Sequence, residues 1–121
     1  MLGAFTSTEW DNLYAQIYNN TAPGGWIEHL DAHNQILCSD GTMKPDSILA
    51  NFHKHMSDAA EKTGRVMFVT DGMRERIEKA GFVNVREKVF KSPIGGWAKH
   101  PVYRDSGRCV MESFKAGLEG W

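Results

Sequence analysis

Pro23-Gly24-Gly25-Trp26-Ile27-Glu28-His29 is the stretch on which the reading of the fold turns. Ahead of it, Trp10, Leu13, Tyr14, Ile17 and Tyr18 recur at the spacing of one helix face. Pro-Gly-Gly cannot continue that helix and supplies a turn. A strand is then expected from Trp26 to Ala32, with Ile36 as its furthest reach. Along it, Trp26, Glu28, Leu30 and Ala32 share one face, and Ile27, His29, Asp31 and His33 share the other.

Working outward, the first helix is predicted near residues 8–20, with Thr8 as its cap. Ser39-Asp40-Gly41-Thr42 is a turn signal, and Pro45 and Asp46 open a second helix reaching about Thr63. Its apolar stripe is Ile48, Leu49, Phe52, Met56, Ala59 and Ala60. A third helix runs from Gly72 to Ala80 with Gly81 as C-cap. A second strand follows from Phe82 to Lys91, where Val83, Val85 and Val89 alternate with polar residues. The last helix begins near Pro101 and reaches about Leu118, stopping at Gly120-Trp121.

The bulk numbers set the class. A chain of 121 residues, 41% hydrophobic and 24% charged, is expected to form one soluble domain over residues 1–121. A formal net charge of −1 without a basic stripe argues against nucleic acid as a partner. Cys38 and Cys109 have no metal-ligand spacing and read as reduced thiols. No run approaches the ~20 apolar residues of a membrane span, and the N-terminus has no signal-peptide pattern. A cytoplasmic protein with no membrane partner is expected.

Several motifs, in order and spacing, resemble the fungal LaeA-like S-adenosylmethionine-dependent methyltransferases. They are Pro23–His29, Ser39-Asp40-Gly41-Thr42 with Pro45-Asp46-Ser47, Ala80–Lys91, Pro93-Ile94-Gly95 and Gly117-Leu118-Glu119-Gly120-Trp121. The resemblance implies an α/β fold, a Rossmann-like methyltransferase fold truncated to its central and C-terminal part. Few strands would remain, with helices packed on a small sheet completed by dimerisation. The family's GxGxG-type loop and its ribose-holding acidic residue have no counterpart here. No cofactor is therefore expected, and the spacing of the candidate ligands gives no expectation of a metal. A homodimer is expected because two strands alone make a marginal sheet and open edges recruit another chain.

In the parent fold the substrate lies beyond the C-terminal ends of the strands, which here means Asp31 to Asn34. His29, Asp31 and His33 would stand on one face there, a general base with a carboxylate to orient it, or else a solvated polar face. Three ligands in a straight row do not readily surround one metal ion. Glu28, on the opposite face, is a candidate acid or base if buried, or a cross-sheet partner of Arg86 or Lys88. Phe52 and Met56 on the second helix, and Trp97 and Tyr103 after the glycine loop, are candidates to line an apolar substrate, or are core and loop packing. His53 and His55 point to different sides of their helix and cannot share one ion.

Two classes of function follow. One is a cofactor-independent enzyme of secondary metabolism, an isomerase, cyclase or aldolase-type lyase working by acid–base catalysis on an apolar natural product. The other is a non-catalytic interaction or regulatory subunit derived from a methyltransferase, or one part of a split S-adenosylmethionine-dependent enzyme.

Overall fold

The computed structural model describes residues 3–33 and 35–118. It contains four helices: α1, Ser7–Asn20; α2, Ile48–Glu61; α3, Met73–Ala80; and α4, Pro101–Leu118. The chain divides into two compact units, Met1–Arg86 and Glu87–Trp121. α1, α2 and α3 belong to the first unit and α4 to the second.

The expected α/β architecture is overturned. Among the described residues there is no strand and no sheet, and the fold is all-helical. The nearest approach to a ladder is one isolated antiparallel bridge, Thr6 with Arg65. It is reinforced by the Val66 amide on the Phe5 carbonyl at 2.9 Å and by Arg65 Nη1 on the Ala4 carbonyl at 2.7 Å.

Each expected strand fails for a different reason. Over residues 26–33 the alternation of faces is largely present: Ile27, His29 and Asp31 are half-buried, while Trp26 and Leu30 are 90% and 85% exposed. The ladder is what is missing: among the described residues no strand pairs with it, and the Ala32 amide bonds to the Asp31 carboxylate at 2.8 Å. An extended segment without hydrogen-bonded neighbours has nothing to offset its ordering entropy as a strand. Over residues 82–91 the alternation itself breaks. Asn84 takes a positive φ of 58°, a left-handed turn that Asn tolerates. Phe82 and Val85 pack on the core while Val83 is left 81% exposed. The reach to Ile36 also finds no strand at residues 35 and 36, while Asn34 and the stop at Gly120-Trp121 lie outside the described residues.

Helix α1 begins two residues earlier than Thr8 suggested. Thr6 is the cap: its Oγ1 accepts the Glu9 amide at 3.3 Å, and Glu9 Oε2 accepts the Thr6 amide at 2.8 Å. This reciprocal box satisfies two of the orphan amides at a helix start and is worth about 1 kcal/mol. Ser47, rather than Pro45 or Asp46, caps α2 by accepting the Ala50 amide at 3.2 Å. The turn before it closes on Asp40, whose carboxylate takes the Cys38 thiol at 2.8 Å and the Thr42 hydroxyl and amide at 2.8 and 3.0 Å. The Cys38 bond first, then those from Thr42, hold Asp40 down to a pKa of about 2.

The core of the first unit forms where α1 lies on α3. Trp10, Tyr14, Val69 and Ile77 are buried together, with Leu13, Ile17, Ile27 and Met73 packed around them. Arg76 on α3 clamps the start of α1, donating to the Ser7 carbonyl and hydroxyl at 2.9 and 2.8 Å and to the Asp11 carboxylate. Gly81 ends α3 with φ 118°, directly beneath the Tyr18 ring. Helix α2 has no fully buried residue, and its first apolar residues, Ile48 and Leu49, are 79% and 54% exposed. In the second unit, the loop around Gly95 lies against α4, where the Gly95 amide bonds to the Gly107 carbonyl at 2.9 Å.

Candidate functional site

The first unit brings two groups of polar side chains together, and both draw on the 26–33 segment. In the first group, His29 stacks on Trp10 with ring centroids 5.6 Å apart. Its Nδ1 lies 2.7 Å from the Tyr14 hydroxyl, and its Nε2 lies 3.6 Å from Asp31 Oδ2. Imidazole therefore joins a buried phenol to a carboxylate that is itself largely covered. Burial pushes the Tyr14 hydroxyl up to about 12, with Asp31 adding to the rise and Arg76 opposing it. This is a packed lock between α1 and the following segment.

That shift has a testable sign. A phenol whose folded pKa is raised favours the folded state below its unfolded value of 10.0, and the benefit disappears as pH rises towards about 12. Melting curves taken across that window should fall steadily in the natural chain. In Tyr14→Phe the fall should be shallower, and equal slopes would refute the assignment.

The second group lies at the other end of the segment. His33 Nδ1 is 2.9 Å from Thr70 Oγ1 and 3.3 Å from Asp71 Oδ1. From α2, His53 Nε2 approaches Asp71 Oδ2 at 3.7 Å. That nitrogen is buried and has no hydrogen-bond partner among the described residues. The His53 ring lies flat on Phe68, with centroids 4.1 Å apart and planes 16° from parallel. One ligand atom each from His33, His53 and Asp71 lies within 4.8 Å of the others. Asp71 also edges a surface groove of about 380 Å³, lined by Ser57, Glu61, Arg65, Val66 and Phe68 among others.

The structure thus redistributes the expected site. His29 and Asp31 do meet, but inside the packing around Tyr14. His33 is paired with Asp71, which lies 38 positions on in the chain. Glu28 is exposed, so burial does not make it an acid. Phe52 and Met56 are half-buried on α2. Trp97 and Tyr103 belong to the second unit and are 75% and 56% exposed. Trp97 Nε1 bonds to the Ile94 carbonyl at 3.1 Å, and Tyr103 lies beside His100 with ring centroids 5.4 Å apart. Reading the sequence missed His53, Thr70 and Asp71. The sequence spacing only sets His53 and His55 on different sides of their helix, and no local pattern joins His53 or Asp71 to His33.

Among the described residues no helix is long and apolar enough to cross a membrane. No family model matches the chain, and no solved structure matches it. Individual proteins do. The chain is 34% identical over 113 residues to the "Methyltransferase pytC" of Aspergillus terreus, which covers 93% of this chain and 35% of that protein. It is 33% identical over 111 residues to the "Secondary metabolism regulator LAE1" of Cochliobolus heterostrophus, covering 91% of this chain and 36% of the relative. It is 26% identical over 98 residues to the "Protein-methionine methyltransferase laeA" of Chaetomium globosum, covering 79% and 31%. The chain spans about a third of the length of these curated relatives. The resemblance carried by the Pro23–His29 and Ala80–Lys91 motifs is thereby borne out: the homologues of this chain are fungal methyltransferases and LaeA-like regulators of secondary metabolism.

Proposed function

We propose that this chain works in secondary metabolism as a methyltransferase-derived segment that binds the portion of a methyltransferase-type protein it does not itself match. The observation that carries the reading is the exposure of large apolar side chains on the very segment that bears the family motif. Trp26 and Leu30 stand 90% and 85% exposed, and four residues apart in extended chain they share one side, roughly 13 Å from each other. Single exposed apolar residues need no explanation, whereas Trp is among the residues enriched at binding hot spots. Burying a Leu side chain alone contributes about 1.5–3 kcal/mol.

The test is a metabolite profile. Deleting the gene should change the secondary-metabolite pattern, and a strain carrying Trp26→Ser with Leu30→Ser should reproduce the deletion while the protein stays folded. Both substitutions fall on exposed side chains, so folding is not at stake. An unchanged profile on deletion, or a double variant indistinguishable from the natural strain, refutes the reading.

A second reading draws on the groove beside Asp71. A cofactor-independent isomerase, cyclase or aldolase-type lyase needs a positioned imidazole, a carboxylate and an adjacent space for an apolar substrate. His33, Asp71 and the groove supply these three. An intermediate that accumulates in a His33→Ala strain, where the Trp26→Ser and Leu30→Ser strain shows none, would favour the enzyme over the binding segment.

A further inference from the structure

We propose that His33, His53 and Asp71 form a binding site for a divalent metal ion of the zinc class. Three separate stretches supply the ligands: the extended segment after the glycine turn, helix α2, and the turn that leads into α3. Two imidazoles and one carboxylate are the donor set that borderline transition metals prefer over magnesium or calcium, which take oxygen.

The spacing fits as well as the chemistry. Zinc bonds to imidazole nitrogen and carboxylate oxygen at about 2.0–2.2 Å, so tetrahedral neighbours stand roughly 3.3–3.6 Å from each other. His33 Nδ1 is 3.3 Å from Asp71 Oδ1 and His53 Nε2 is 3.7 Å from Asp71 Oδ2, so the two imidazoles face the two oxygens of one carboxylate, and one ligand atom from each residue lies within 4.8 Å of the others.

A second observation points the same way. His53 Nε2 is buried without a hydrogen-bond partner among the described residues, and the Phe68 ring stacked on His53 restrains its orientation. A buried polar atom left unpaired carries a desolvation cost that a metal ion would remove. Thr70 Oγ1 shares the His33 nitrogen, so an ion must displace that hydrogen bond. With three protein ligands and His33 and Asp71 open to solvent, the fourth position falls to water. An open three-ligand site of this kind should bind zinc with a Kd on the order of micromolar, weaker than closed four-ligand sites.

The experiment uses the full chain without an affinity tag. Titration with Zn²⁺ followed by calorimetry should give one site, Mg²⁺ should give no binding, and Co²⁺ should develop visible d–d bands of a low-coordinate nitrogen–oxygen site. At a hundredfold excess over Kd, zinc should raise the melting temperature by about 10–20 °C. His33→Gln and Asp71→Asn should each weaken Zn²⁺ tenfold or more while the circular dichroism spectrum is retained. His55→Gln, on the same helix but outside the cluster, should bind as the natural chain does. Absence of zinc binding overturns the proposal. So does binding that His33→Gln and Asp71→Asn leave intact, or that His55→Gln reduces as much. Because the readouts are metal affinity and melting temperature, their failure leaves the metabolite test of the binding-segment reading standing.

Discussion

Trp10→Ala is expected to abolish cooperative folding of the first unit at physiological temperature. Trp10 is 0% exposed and is the hub of the aromatic packing: Phe5 meets it edge-on at 5.0 Å, and Tyr14 and His29 stack at 5.9 and 5.6 Å. Replacing a buried Trp by Ala costs about 3–5 kcal/mol, from lost transfer energy and from the cavity left behind. A small domain has in total about 5–15 kcal/mol. Here the buried hydrophobics among the described residues are Trp10, Tyr14, Phe68, Val69 and Ile77, so the reserve lies at the low end. Because His29 leans on the same indole, the loss extends beyond α1 to the segment that carries the candidate site. Hydrogen exchange should show protection of α1 and α3 amides falling together, with a urea midpoint shifted in proportion. Trp10→Phe provides the control. Its cost should be much smaller, since it keeps an aromatic ring and removes an indole N–H that is buried without a hydrogen-bond partner among the described residues. A Trp10→Ala chain that keeps its α1 protection would contradict this account of the core.

Gly107→Ala is the largest effect expected in the second unit, and two opposing terms decide its sign. Inside a helix, Ala is favoured over Gly by up to about 1 kcal/mol. Gly107, however, lies in α4 under the loop that precedes it. A Cβ there would stand 2.2 Å from the Gly95 carbonyl oxygen and 3.2 Å from Pro93 Cγ. The first contact is with backbone, which no rotamer change can relieve. The loop must lift, which breaks the 2.9 Å bond from the Gly95 amide to the Gly107 carbonyl. A net loss of about 1–3 kcal/mol at the loop follows, more than the helix gains. In hydrogen exchange, the Gly95 amide should lose protection tenfold or more, while helical circular dichroism holds or rises slightly. Unchanged protection at Gly95 would show that the loop does not bear on the helix there.

The pattern of successes and errors in reading the sequence has a physical cause. α1, α3 and α4 were legible because their signals are local: an apolar face recurring every three or four residues, a glycine at the end of α3, and a proline at the start of α4. Even the cap mistaken at Thr8 was written locally, since Thr6-Ser7-Thr8-Glu9 has the spacing of a reciprocal cap. A strand, by contrast, is defined by what lies beside it. The alternation from Ile27 to Asp31 correctly sorted inner from outer side chains, but it carried no information about whether a ladder partner exists. Positions 82–91 failed on a single torsion, because nothing in the alternation of Val83 and Val85 announces the left-handed Asn84. The candidate site shows the same division. His29 and Asp31 are two residues apart and were found together, whereas His33, His53 and Asp71 meet only through the packing of three stretches.

Val89 and Phe90 stand 80% and 70% exposed on chain that pairs with no strand among the described residues. Short, apolar, β-prone runs in that state are the raw material of cross-β stacking. The residues threaded through this run oppose that outcome. Glu87, Lys88 and Lys91 flank the two side chains, and the Lys88 ammonium sits over the Phe90 ring, 4.8 Å from its centroid. A desolvation penalty on each charge makes face-to-face zippering costly, so these residues act as gatekeepers against fibril formation. The same charges therefore preserve the colloidal stability of a molecule that keeps part of its apolar surface in water.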